Sequence, residues 1–218
     1  MVRKAGATII LVVFMLSVLT GVSVAQERVT VKLPAPDMIG GKPLMQVLKE
    51  RSSAREFAPE ALSHKVLSNL LWAAFGINRP DSGKRTAPSA VNWREVDIYV
   101  ATAHGCYLYM PKEHALLQVG TEDIRALTGT QDFVKSAPVN LVFVANLAKM
   151  GDRPRETKIP LAFADTGFIG QNVYLYCASA GLATVVRGSV DKETLAPALK
   201  LRDDQLITLA QSVGYPKK

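Results

Sequence analysis

The chain of 218 residues has little of what builds metal or redox centres. Its two cysteines are Cys106 and Cys177, and its three histidines, His64, His104 and His114, are scattered. No Cys-x-x-Cys pair and no His-Glu-x-x-His segment occurs, so no metal-ligand spacing exists. No glycine-rich phosphate loop of either nucleotide-binding type is present. The basic residues form no dense stripe interleaved with aromatics, which argues against nucleic acid as a partner. No internal repeat or low-complexity tract appears. The two cysteines pair only if the fold brings them together, and their spacing says nothing about that. Cys177 lies in an apolar helical run and reads as a small buried residue.

What remains is an ordinary globular composition, 48% apolar and 21% charged, long enough for one domain with a real core. The first 25 residues stand apart. Arg3 and Lys4 give a positive start, Ile9 to Leu19 is apolar, and Val22-Ser23-Val24-Ala25 ends in small residues. This is the pattern of a secretory signal over 1–25, which predicts an exported protein, periplasmic or extracellular in a bacterium. A retained membrane anchor is the alternative; the short apolar run and the small-residue end disfavour it, so no stable membrane insertion is expected after cleavage. Cleavage removes Arg3 and Lys4 and no acid, lowering the formal net charge from +7 to +5. That balance suits an anionic ligand.

Residues 26–43 carry Pro34, Pro36, Gly40 and Gly41 and read as an extended arm ahead of a domain over 44–218. A short helix is expected around 44–50. Ser63 is placed to N-cap a helix through Phe75, with Val66, Leu67, Leu70, Leu71 and Ala74 on one face and Gly76 as its stop. A polar loop is expected over 78–92; a loop of that length is usually functional or disordered. Val96 to Ala101 reads as a strand, and 106–110 and 115–119 as a hairpin turning at Pro111-Lys112-Glu113. Thr121 is expected to start a short helix, and Val139 to Ala145 to form an apolar strand. Pro160 to Ala180, apolar on nearly every face, reads as a long central buried helix stopped by Gly181. A strand over 183–186, a helix over 192–196 ending before Pro197, and a strand over 206–213 complete an irregular α+β order.

Arg51-Ser52-Ser53-Ala54-Arg55 places two guanidiniums and two hydroxyls within five residues. Forked, permanently charged donors beside neutral ones are what a phosphate-bearing ligand needs, although a basic helix end is also an ordinary solvated surface. Three further pieces follow in order: Ala87-Pro88-Ser89-Ala90-x-Asn92, Gly181 to Gly188, and Ser212-Val213-Gly214-Tyr215-Pro216. The ordered set resembles the FMN-dependent nitroreductase family over about Leu44 to Pro216. Asp165-Thr166-Gly167-Phe168-Ile169-Gly170-Gln171-Asn172 resembles that family's central dimerisation helix. Gly105 to Leu116, with Arg85-Thr86-Ala87-Pro88-Ser89-Ala90, resembles its SagB-type dehydrogenase branch, which includes enzymes that oxidise thiazolines and oxazolines in modified peptides.

The resemblance implies a mixed or antiparallel sheet flanked by helices, in a domain-exchanged homodimer. It implies FMN as cofactor, contacted by Arg51, Ser52, Ser53 and Arg55. Pro88, Ser89, Ala90 and Asn92 would reach the flavin from the partner subunit. Gln131 would meet the pyrimidine edge unless it is only a loop residue. Arg187 and Gly188 would lie beside N5, with a backbone N–H as donor and glycine permitting close approach; otherwise Arg187 marks a strand end. Many relatives carry an acid at Arg187, so a cation there would alter the field near N5. Lys217, with Lys218, would meet the phosphate or else form a solvated tail. The implied activity is ping-pong hydride transfer through flavin N5 on a small-molecule or peptide-heterocycle substrate, with no side chain named as catalytic acid or base. A non-catalytic flavin-binding or scaffold protein is the alternative.

Overall fold

A computed structural model describes residues 29–217. The expected signal segment, the first residues of the arm and Lys218 lie outside that range. The fold is α+β. One antiparallel sheet of seven strands runs in the order β1 (Thr30–Lys32), β6 (Ala115–Gly120), β5 (Gly105–Met110), β4 (Val96–Thr102), β7 (Val139–Asn146), β9 (Gln205–Gly214), β8 (Ala183–Arg187). Every pairing in it is antiparallel.

The alternation of side chains along a strand builds two cores from the same strands. Ile98 and Val100 of β4, with Leu141 and Phe143 of β7, face helices α2 (His64–Phe75) and α3 (Arg155–Ala180). Tyr99 and Ala101, with Val142 and Val144, face the short helix α4 (Lys192–Ala198) through Leu195 and Leu199. This is why 139–145 is apolar on both faces apart from Asn140: both sides of β7 are covered. Cys177 sits in the first core and Cys106 in the second, and both are free thiols.

Helix α1 (Leu44–Glu50), α2 and the strands fall close to their expected places, and Ser63 Oγ accepts the Val66 N–H at 3.3 Å as the cap of α2. Four expectations need correction. Helix α3 begins at Arg155, ahead of Pro160, and α4 runs through Pro197. Each proline removes one backbone bond, and the carbonyls four residues earlier belong to exposed Glu156 and Glu193, which water can satisfy. The expected loop over 78–92 contains a small hairpin, β2 (Ile77–Arg79) with β3 (Lys84–Arg85), turned by Gly83 at φ +61°. Thr121 starts no helix: the Asp123 carboxylate takes both the backbone N–H and the guanidinium of Arg125, and a 3₁₀ turn begins there instead. The arm is extended, as expected; its β1 joins the sheet edge, and Pro34 and Asp37 are tied to Ser68 and Asn69 of α2.

Helix α3 is buried along one side, through Ala162, Asp165, Ile169, Val173 and Cys177, while Phe168 on another side is 50% exposed. It is therefore not covered on every face within the chain. Among the described residues, no helix is long and apolar enough to cross a membrane, and no group of three metal-ligating side chains converges.

Candidate functional site

The stretch after α1 crosses the end of the sheet. Its backbone is pinned by Ala54 N–H to the Thr184 carbonyl at 2.9 Å and by a bridge between Phe57 and Pro216. The hydroxyl of Tyr174, on α3, then links two segments far apart in sequence. It bonds Ser53 Oγ at 2.8 Å and accepts the Val186 N–H at 3.0 Å. The Arg51 guanidinium lies 5.4 Å from the centre of the same ring. Ser52 and Arg55 are exposed beside it, and Lys217 is exposed immediately after Pro216. The structure thus brings the Arg51–Arg55 stretch to the edge that carries Val186, Arg187 and Gly188, whereas Lys217 follows the Phe57–Pro216 bridge beyond the Ala183 end of β8. Tyr174, which ties stretch and edge together, has no signal in the sequence beyond its place in an apolar helix.

Arg187 occupies this edge with its backbone only. Its side chain is 5% exposed and turns inward, donating to the Thr128 carbonyl at 2.6 Å and to Asn140 Oδ1 at 3.0 Å. No carboxylate answers it, and its Nε has no partner. Burial lowers the guanidinium pKa to about 10, so it stays charged at neutral pH. A cation turned toward a bound ring is therefore not what this chain presents. The guanidinium is a strut beneath the segment 125–137, and Gly129 is shaped to it: a Cβ at Gly129 would lie 1.9 Å from Arg187 Nη1.

Gly188 is exposed, and a Cβ there would meet nothing nearer than Leu209 Cδ2 at 3.9 Å. Its missing side chain leaves open space over the strand end. Gln131 reaches the same bend, because Thr130 N–H donates to the Ser189 carbonyl at 3.1 Å. The Gln131 Oε1 is buried without a hydrogen-bond partner. An orphaned acceptor, an open glycine and a basic edge with exposed serines fit a ring bearing N–H donors and a phosphate tail.

The segment of Pro88, Ser89, Ala90 and Asn92 lies elsewhere. Ala90 N–H donates to Asp165 Oδ2 at 2.8 Å, and Ser89 Oγ accepts the Arg94 N–H at 2.9 Å; Pro88 and Asn92 are exposed. Asp165 and Tyr174 are about 13 Å apart along the axis of α3 at its rise per residue. Within one chain this loop and the Tyr174 edge are two separate places.

A sequence profile described as the nitroreductase family matches residues 48–215. The chain belongs to that family. A candidate nitroreductase of Methanocaldococcus jannaschii is 30% identical over 190 residues, covering 83% of this chain and 95% of that protein. The crystal structure of a candidate nitroreductase from Ralstonia eutropha JMP134 superposes with a TM-score of 0.83 at 44% identity, over 87% of this chain and 90% of the other. A chain in the Escherichia coli microcin synthetase McbBCD complex, with truncated pro-MccB17 bound, reaches a TM-score of 0.66 at 20% identity, over 86% and 79%. At that identity the likeness is one of fold. The nitroreductase profile and fold together make the chain a nitroreductase-family oxidoreductase.

Proposed function

We propose that the mature chain is an exported FMN-dependent oxidoreductase of the SagB-like kind, working as a homodimer. The observation that carries the cofactor is the Tyr174 junction, which draws the basic hydroxyl-rich stretch and the Arg187–Gly188 strand end to one edge. Bound FMN would supply hydride exchange at N5, alternating between a donor and an acceptor on one ring face. The protein's part is binding and orientation. Arg51, Arg55 and Lys217 offer charge to a phosphate, and Ser52 and Ser53 offer hydroxyls. Gln131 Oε1 offers an acceptor to a ring N–H, and the open backbone at Gly188 offers a donor to a ring nitrogen.

The homodimer reading rests on the apolar surface. Ile39 is 96% exposed and Met45 76%, and Met38, Leu44, Leu48 and Phe168 accompany them. A monomer seldom exposes so many large apolar groups in neighbouring elements. A partner seated there could bring its own Pro88–Asn92 loop to the Tyr174 edge. Export favours a substrate that is itself oxidised, such as a thiazoline or oxazoline, because NAD(P)H is scarce outside the cytoplasm.

The deciding test is a visible absorption spectrum of the mature protein after loading with FMN and removal of free flavin. A retained flavin spectrum, lost in Arg51→Ala and Arg55→Ala, is expected. A colourless protein that cannot be loaded would leave a scaffold with the family's fold. Turnover of NADPH with a nitroaromatic, and none of oxidisable heterocycles, would count against the SagB-like assignment.

A further inference from the structure

The Pro88–Asn92 loop is tied to a buried carboxyl, Asp165, which lies within side-chain hydrogen-bonding reach of a second, Glu95. Glu95, just before β4, is 0% exposed, and neither carboxyl oxygen has a hydrogen-bond partner among the described residues. Asp165 is 4% exposed and holds the Ala90 N–H. The backbone they carry is strained. Val91, Asn92 and Arg94 have φ of 51°, 57° and 52°, and Val91 is β-branched, the kind of residue least suited to that region. Such a conformation persists only where its surroundings hold it. The fastenings here are Ala90 N–H to Asp165 and Arg94 N–H to Ser89 Oγ.

Lys149 is the cation whose charge reaches Glu95, and it and the neighbouring basic side chains have other partners. Lys149 Nζ binds Asp97 at 2.8 Å, and Lys158 Nζ the Leu147 carbonyl at 3.0 Å. The Arg94 guanidinium binds the Gly83 carbonyl at 3.3 Å, and that of Arg153 lies over the Trp93 ring. Two buried carboxylates with no cation of their own repel each other and lose their hydration, so the doubly ionised state is disfavoured. One proton resolves both difficulties. Carried by Glu95, it turns that carboxyl into a donor toward Asp165, whose Oδ2 already accepts the Ala90 N–H.

We propose that Glu95 and Asp165 share a single proton, and that this proton latches the Ser89–Arg94 loop to α3. Burial raises the Glu95 pKa most and the neighbouring Asp165 raises it further, against a hydrogen bond from its own backbone and the charge of Lys149, for a net rise from its ordinary 4.5 to about 7. The folded chain therefore keeps a proton that the unfolded chain has lost. The stabilisation is complete below about pH 4.5 and disappears as pH rises through about 7. The loop is tight in mildly acidic medium and loosened in alkaline medium. If this loop reaches the partner's flavin, as the proposed function has it, cofactor retention follows the same titration; the latch itself does not depend on that reading.

The test uses the mature chain without flavin. Amide exchange at Ala90, corrected for the intrinsic pH dependence, should show protection that falls about tenfold between about pH 6 and about pH 8 in the wild type. Glu95→Gln, which keeps the shape and a donor but never ionises, should hold its protection at both values. Asp165→Asn should be weakly protected at both. Carbon-13 carboxyl spectra of the wild type should show one buried glutamate titrating near neutrality. A Glu95 that titrates in the ordinary carboxylate range, or a Glu95→Gln chain that loosens with pH as the wild type does, would overturn the latch. The wild-type spectra decide the matter even where a variant fails to fold.

Discussion

At the scale of single residues, Tyr174 and Gly129 carry more than their chemistry suggests. Tyr174→Phe keeps the ring under Arg51 but removes the hydroxyl that serves both Ser53 and Val186. The Val186 N–H is then left without its acceptor, which should cost about 1–3 kcal/mol in denaturant unfolding and weaken FMN retention. Gly129 lies in extended backbone, so its need for glycine comes from the guanidinium of Arg187 and not from conformation. Gly129→Ala should lower stability by about 1–3 kcal/mol, because Arg187 must leave Thr128 or distort the turn. Equal stability of this variant and the wild type in urea would mean that the strut is dispensable. Both effects were hidden in the sequence. Arginine at position 187 reads as charge near a ligand, and only the fold reveals that it points at carbonyl oxygens.

At the scale of elements, the legible parts are those whose pattern is long and local. The i, i+3, i+4 spacing from Val66 to Ala74, with Ser63 before and Gly76 after, places α2, and a run apolar apart from Asn140 places β7. The arm is different, because β1 is three residues long and owes its position to side chains from elsewhere. His114, in the β5–β6 turn at φ +48°, is the clasp. Its Nε2 meets Ser68 Oγ at 2.7 Å, its Nδ1 meets the Tyr109 hydroxyl at 3.0 Å, and its carbonyl accepts the Leu33 N–H at 3.0 Å. Ser68 Oγ donates to the Pro34 carbonyl, so it accepts from Nε2–H, and Nδ1 accepts from Tyr109. Burial lowers the His114 pKa, so this neutral tautomer is held at neutral pH. For a lowered histidine the stabilisation is present above the unfolded pKa and is lost as pH falls through the folded one. Exchange of the β1 amides, measured against those of β7, should therefore quicken on acidification. His114→Ala should release β1 at neutral pH at a cost of about 1–2 kcal/mol, and unchanged β1 protection in that variant would remove the clasp.

At the scale of the whole molecule, the apolar surface asks for a second copy. Met38 and Ile39 of the arm, Leu44, Met45 and Leu48 of α1, and Phe168 of α3 are all exposed, and Lys42 ties the arm to α3 through Ser179 and Ala178. The sequence hinted at this only through the even apolarity of 160–180, which reads equally well as a buried core helix. A stable pairing needs roughly 1,200 Å² or more of total buried surface, and these exposed side chains are spread over three elements. The mature chain should therefore sediment as a dimer at micromolar concentration. Met45→Glu combined with Leu48→Lys changes only exposed side chains, so far-UV dichroism and thermal unfolding of the resulting monomer should stay close to the wild type. That monomer should nonetheless fail to retain FMN, because the Pro88–Asn92 loop and the Tyr174 edge lie apart within one chain and, in the proposed homodimer, only the partner's loop would reach that edge. Sedimentation and the flavin spectrum, read together, separate the outcomes. A folded monomer that still holds FMN would place the whole cofactor site in one chain, whereas a wild type that sediments as a monomer would leave the apolar ridge for some other partner.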